Sequence, residues 1–140
     1  MTSDNIARAR DWFEQIWNQR RIDLIESFAA PNSIAHLESG DVSAVAAFRA
    51  IHREFLSAFP DLAMQVEATI ADAENVVVRW TASGSHQGAG FGIEPTGRAA
   101  RFRGMTWMRF ERGMIAEGWD AWNQGGLLQQ LRAEGAKAEG

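Results

Sequence analysis

Phe59-Pro60-Asp61-Leu62-Ala63-Met64-Gln65-Val66-Glu67-Ala68-Thr69-Ile70 is where this chain changes its period. Before Pro60 the apolar residues recur every three or four positions; after Asp61 they recur every second. Leu62, Met64, Val66, Ala68 and Ile70 alternate along one run, the pattern of a half-buried strand. Reading backward, Val45, Phe48, Ile51, His52 and Phe55 form one stripe, which predicts a helix over about Ala44–Ala58 with Asp41 or Ser43 as its cap. A first helix, capped by Ser3 or Asp4, is predicted to run to about Gln19 with Ile6, Ala9, Phe13, Ile16 and Trp17 inward. A short helix over about Asp23–Ala29 stops before Pro31, and Ser33–Leu37 reads as a short strand or extended link. Reading forward, Asp72-Ala73-Glu74-Asn75 is a turn between strands. Long strands are predicted over Val76–His86, Ala99–Phe110 and Met114–Asn123. A glycine-rich connection, Gly88–Gly97, and a tight turn, Glu111-Arg112-Gly113, join them. Leu127–Arg132 reads as a closing helical turn, and residues 133–140 as a frayed tail. Helices first and antiparallel strands afterwards indicate an α+β class, with helices packed on one face of a curved meander. A sheet curled around helices leaves a pocket between them.

Bulk composition narrows the function. The length of 140 residues suits one domain over 1–140, and 46% hydrophobic residues supply a core. The net charge of −4 is spread without a basic stripe, which disfavours a nucleic-acid partner. No apolar run is long enough to span a membrane, and Met1–Asn5 does not read as a signal peptide. A cytoplasmic location is therefore expected. The chain has no cysteine, which excludes disulfides, thiolate nucleophiles and thiolate metal sites. It also has no tyrosine, so no phenol can act as acid, base or oxyanion donor.

The tail of the last strand, Glu117-Gly118-Trp119-Asp120-Ala121-Trp122, sets one carboxylate between two tryptophans. Apolar surroundings destabilise an ionised carboxylate and raise its pKa, which suits Asp120 to proton transfer near neutral pH. Strand parity supports the same residue. From Ala99, one face carries Ala100, Phe102, Gly104, Thr106, Met108 and Phe110; the other carries Arg101, Arg103, Met105, Trp107 and Arg109. On the last strand, Asp120 shares a face with Met114, Ala116, Gly118 and Trp122, opposite Glu117, Trp119, Ala121 and Asn123. Pairing Glu117 with the arginine face turns Asp120 to the core, beside Thr106 and Met108. Large apolar groups among charges on the outer face predict a homodimer through that face.

Four segments, in this order, are similar to the SnoaL-like polyketide cyclases of the nuclear-transport-factor-like or ketosteroid-isomerase-like superfamily. They are Phe13–Gln19; Phe59-Pro60-Asp61-Leu62; Gly84–Gly88 running into Gly92–Arg98; and Gly113–Asp120 followed by Gly126–Leu131. The resemblance implies a cone-shaped barrel of three N-terminal helices in a curved, mainly antiparallel sheet. It also implies a deep apolar pocket, a dimer, and ring closure by intramolecular aldol reaction without metal or organic cofactor. The family's acid/base aspartate matches Asp120. Two positions depart from the pattern the resemblance implies: Gly118 stands where a histidine is common, and Asn123 where an acidic residue is often found; Thr106 matches a histidine near the base in one cyclase of the family.

The resemblance also implies that His36 faces the pocket and contacts substrate. The residues alone read His36 as a structural histidine. Trp17, Phe48, Phe55, Trp80 and Trp122 are core by default; in this fold they become pocket walls whose flat faces suit a small hydrophobic or planar carbonyl-bearing ligand. His52 lies in the stripe of the third helix, as core or as pocket lining. His86 stands at a strand end beside the glycine-rich loop, as a turn-stabilising group or at the pocket mouth. The histidines lack metal-ligand spacing. Gly88-Ala89-Gly90-Phe91-Gly92 joins two strands, so it reads as a hairpin loop or lid and not a phosphate cradle. Ketosteroid isomerase chemistry needs a tyrosine that is absent. Epoxide hydrolysis needs an inward arginine, and Arg101, Arg103 and Arg109 point outward. Two function classes stay open: a cofactor-free cyclase or related enzyme using Asp120, and a protein that binds a hydrophobic ligand without turnover.

Overall fold

The computed structural model describes residues 2–132, without the side chain of Thr2; the tail expected to fray lies outside the described residues. Helix α1 (Thr2–Asp11) continues into a π-helical segment, Trp12–Asn18. There the Gln19 N–H donates to the Glu14 carbonyl at 2.9 Å, five residues back. The wider turn lets Trp12, Phe13, Ile16 and Trp17 all be buried. The helix starts at Thr2, so Ser3 and Asp4 lie inside its first turn and do not cap it. A 3₁₀ turn (Ile22–Leu24) and α2 (Ile25–Phe28) follow.

Two strands then precede α3 (Ala44–Ala58), which corrects the expected order of helices first and strands afterwards. Strand β1 covers Ala29–Leu37 and β2 covers Gly40–Ser43. The first is longer than its apolar pattern because Pro31 sits within an irregularity of its pairing, between Ala29 and Ile34. The second has no apolar alternation and is held by antiparallel pairing to β1. Ser43 precedes α3 in extended conformation, but its side chain makes no capping hydrogen bond.

The remaining strands are β3 (Ala63–Ala71), β4 (Asn75–Ser85), β5 (Ala99–Glu111) and β6 (Met114–Trp122), and α4 (Gln124–Arg132) closes the described chain as a full helix. The six strands form one sheet in the order β2-β1-β6-β5-β4-β3, with only the β1–β6 pair parallel. This is the α+β cone: α3 lies against β1, the π-helical segment lies against β3, and the sheet curves around them. No helix among the described residues is long and apolar enough to cross a membrane.

Two bulges alter the expected faces. Val66 pairs with Trp80 and Ala68 with Arg79, so Glu67 is an extra residue in β3. The bulge reverses the side-chain alternation beyond it, and Ile70 is left 77% exposed. On β6, Arg109 pairs with Glu117 but Phe110 pairs with Ile115, so Ala116 is extra. Ile115, not Met114, therefore enters the core. The β5–β6 turn uses positive φ at Arg112 (53°) and Gly113 (79°), the two-residue geometry that matches strand twist.

Candidate active site

Asp120 and Thr106 stand directly opposite each other in the β5–β6 ladder. Adjacent facing residues on one sheet surface lie close enough for side-chain contact, and Thr106 Oγ1 is 2.5 Å from Asp120 Oδ1. From β4, Trp80 Nε1 donates to the same Thr106 oxygen at 2.9 Å. The three residues thus form one line of hydrogen bonds across three neighbouring strands. Gly104 makes the approach possible. A Cβ at that position would lie 2.5 Å from both Trp122 Cβ and Trp80 Cζ2, so only glycine lets these two indoles close over the sheet.

Asp120 opens onto a cavity of about 660 Å³ between the sheet and the helices. Its walls include Trp12, Phe13 and Trp17 from the first helical segment, Phe48, Ile51 and Phe55 from α3, and Trp80, Phe102 and Trp122 from the sheet. Phe91 reaches in from the glycine-rich connection, and Leu37, Glu38 and Ser39 come from the β1–β2 turn. Asp120 keeps accessible surface because it faces this hollow, although protein encloses it on nearly every side. Loss of water raises its pKa, and the Thr106 hydrogen bond partly opposes the rise. Oδ1 accepts from Thr106, whereas Oδ2 makes no hydrogen bond among the described residues and keeps accessible surface.

Seven of the residues expected at the site line this cavity: Asp120, Trp17, Phe48, Phe55, Trp80, Thr106 and Trp122. The three histidines do not. His36 lies on the opposite face of the sheet, contrary to its expected inward position. Its Nδ1 is 2.7 Å from Asp41 Oδ1 and its Nε2 is 2.9 Å from Glu117 Oε2. The ring stacks on Trp119 with centroids 4.8 Å apart. Ser33 and Ala35 are buried on the inner face of β1 instead, the side on which α3 packs. Two carboxylates favour the protonated ring, and its pKa is raised first by the hydrogen bond to Glu117 and then by that to Asp41.

His52 packs behind the cavity wall. It is 6% exposed, donates from Nε2 to the Ile16 carbonyl at 2.8 Å, and lies against Trp17. Burial lowers its pKa, which keeps it neutral. His86 is fully buried against Phe59, away from the pocket mouth. Its Nδ1 accepts the Thr96 N–H at 3.2 Å and so ties the end of the glycine-rich connection to β4. Asn123, at the position where an acid was expected by resemblance, accepts the Gly126 N–H at 2.8 Å and caps α4.

The sequence reading missed several wall residues. Phe102 shares a strand face with Thr106, so parity pointed to it. Trp12 sits four residues before Ile16 on a helical stripe. Phe91 carries no periodic signal. It is held by the chain around it: the Phe91 N–H donates to Glu54 Oε2 at 2.6 Å, and its ring meets Phe55 at 5.1 Å.

A family model, SnoaL-like polyketide cyclase, matches residues 7–131. No curated protein sequence matches the chain. Among solved structures, the chain is similar to AclR from Streptomyces galilaeus, provisionally assigned as a hydroxylase. The two are 28% identical, the match covers 94% of this chain and 86% of that one, and the TM-score is 0.86. A provisionally assigned SnoaL-like polyketide cyclase from Jannaschia sp. CCS1 is 19% identical, with 95% and 94% covered and a TM-score of 0.86. IdmH from Streptomyces antibioticus, provisionally assigned as a polyketide cyclase, is 23% identical, with 92% and 96% covered and a TM-score of 0.77.

Proposed function

The chain belongs to the SnoaL-like polyketide cyclase family, and on that premise we propose that it is a carbon-acid enzyme in which Asp120 is the general acid/base. The observation that carries this reading is the Asp120 carboxyl, its pKa raised by burial, opening with one free oxygen onto an aromatic-walled cavity. The cavity of about 660 Å³ falls within the range of small-molecule sites. Flat indole and phenyl walls favour a planar ligand that bears carbonyl groups. The ionised Asp120 takes a proton from a carbon next to one carbonyl. The resulting enolate carbon bonds to a second carbonyl carbon of the same molecule, closing a ring. The new alkoxide then recovers the proton from Asp120, so the product is an isomer of the substrate. Held geometry and exclusion of water favour this intramolecular attack. The enolate charge is spread by the conjugated substrate itself. The indole N–H groups of Trp12, Trp17 and Trp122 make no hydrogen bonds among the described residues and are available as donors. The reaction as written uses no metal or organic cofactor.

The similarity to AclR supports a second reading, hydroxylation. It would begin with the same deprotonation but would need dioxygen and a two-electron reductant, and the product would gain one oxygen atom. Incubation with planar polyketide-like diketones and mass analysis of the product separates the two. An unchanged mass with a new ring supports cyclisation; a gain of one oxygen supports hydroxylation. In either case Asp120→Asn should bind ligand and lose turnover. Equal turnover would reject Asp120 as the acid/base, and native protein that binds these compounds without converting them would leave only a ligand-binding role. We also propose that the protein pairs as a homodimer through the outer sheet face, where Met105 is 51% and Trp107 44% exposed.

A further inference from the structure

The hydrogen-bond line from β4 to β6 has a direction. An indole N–H only donates, so Thr106 Oγ1 is the acceptor for Trp80 Nε1. A threonine hydroxyl has a single hydrogen. Thr106 is buried, and Asp120 Oδ1 is the one acceptor its hydroxyl reaches among the described residues. Turning that hydrogen elsewhere would leave it unpaired in the interior, which is unfavourable. The hydroxyl therefore points at Oδ1, and a proton on Oδ1 would turn that oxygen into a poorer acceptor for this bond, so protonation is favoured at Oδ2.

We propose that Trp80, acting through Thr106, is a positioning residue that confines the exchangeable proton of Asp120 to Oδ2, the oxygen left open to the cavity. This rests on the reading of Asp120 as the acid/base; the arrangement of the three side chains does not. Without the indole, Thr106 would be free to rotate and accept a proton from Oδ1, and the carboxyl would have two competing protonated forms. With it, the form protonated on Oδ2 is favoured, and its acidic hydrogen faces the ligand. The polarised hydroxyl also stabilises the ionised carboxylate, so Asp120 does not rise as far as burial alone would take it.

The other charged groups around Asp120 do not substitute for this control. Among the described residues, Glu38, on the β1–β2 turn, and Glu54, on α3, are the other titratable side chains in the cavity wall, and no arginine, lysine or histidine lines it. Neither β4 nor β5 contributes a charged wall residue; Arg79, Arg101 and Arg103 are exposed on the outer face.

The test is the titration of Asp120 in the unliganded protein, followed by NMR of ¹³C-labelled aspartate carboxyls and assigned by the signal missing from Asp120→Asn. Thr106→Val should raise the midpoint by about one pH unit, because a hydrogen bond to the charged form is lost. Trp80→Phe should raise it by less, and Thr106→Ser should titrate like the native protein. Since Thr106→Val strands the Trp80 N–H, the double variant Trp80→Phe/Thr106→Val, which removes both partners, provides a folded equivalent. It should titrate like Thr106→Val. Native midpoints in Thr106→Val and in the double variant would overturn the proposal. So would a native midpoint in Trp80→Phe beside a raised one in Thr106→Val. This readout is independent of turnover. If Asp120→Asn is inactive while the midpoints stay native, the positioning chain fails and the catalytic reading stands. If the midpoints move while Asp120→Asn is fully active, the chain stands and the catalytic reading fails.

Discussion

Glu117 and Asp120 are three residues apart on β6, yet their carboxyls live in opposite chemical worlds. Glu117 faces outward. It accepts from Arg109 Nε at 2.7 Å and from His36 Nε2 at 2.9 Å, and these partners hold its pKa below the ordinary value. Asp120 faces inward, has one hydroxyl as partner, and is pushed up by burial. The odd spacing on a strand is the cause: neighbours separated by an odd number of residues point to opposite faces. One surface neutralises its carboxylate with cations and water. The other withholds both, so the carboxyl stays able to give and take a proton. Sequence composition alone treats the two as the same kind of residue. The sheet distinguishes them.

The sharpest way to break this contrast is to neutralise each carboxyl in turn. Asp120→Asn should lower turnover roughly 10²- to 10⁴-fold, the usual contribution of a general acid/base, with ligand affinity nearly intact. Glu117→Gln, tested with the same diketone, should leave turnover within a few-fold of native. Comparable losses from both would erase the distinction. Filling the gap under the indoles comes next. Gly104→Val should destabilise the fold by about 1–3 kcal/mol through overpacking against Trp80 and Trp122, and should shrink the cavity. Denaturant titration and ligand binding measure the two effects, and a tolerant site would mean the walls are loosely held.

The two faces should also differ in how stability follows pH. Asp120 has its folded pKa raised, so its own contribution to stability is fully present below the ordinary carboxylate range and declines as pH rises through the raised folded value. Asp120→Asn escapes that decline. Its melting temperature should therefore gain on the native protein from acid toward neutral pH, and a gain only toward acid would contradict the assignment. His36 also has a raised folded pKa, so its contribution is present below the ordinary histidine value and lost as pH rises through the folded one. His36→Gln should flatten that alkaline decline without altering the acid limb set by Asp120. Last, Trp107→Ser should lower monomer stability by about 1 kcal/mol, because it removes the indole hydrogen bond to Asn75 Oδ1 at 2.8 Å and the ring contact with Trp119 at 4.8 Å. The same change should weaken self-association in sedimentation if the outer face is the contact.

Much of this arrangement was legible in the chain. The apolar stripe of α3 matches its observed bounds, Ala44–Ala58, because one amphipathic period runs unbroken between Ser43 and Pro60. Strand parity placed Thr106 beside Asp120 and turned Arg101, Arg103 and Arg109 outward, since β5 pairs with β6 without interruption from Gly104 to Arg109. What escaped was whatever breaks a period without changing composition. The extra residues Glu67 and Ala116 shift the alternation by one, and nothing in either side chain signals a bulge. Strand β2 owes its existence to a partner, not to its own polar sequence. The inward position that the resemblance implied for His36 fails, and the structural histidine that the residues alone suggest holds, because Ser33 and Ala35 take the buried face of β1. The Trp80–Thr106–Asp120 line depends on Gly104, whose missing side chain matters only once both indoles are in place.

The most direct measurement is a pH titration of the native protein in which the Asp120 and Glu117 carboxyl carbons are followed together by ¹³C NMR. Asp120 should titrate above the ordinary aspartate value and Glu117 below the ordinary glutamate value. An Asp120 midpoint at or below the ordinary aspartate value would mean that its carboxyl is solvated or paired, and the inward acid at the centre of this account would be gone.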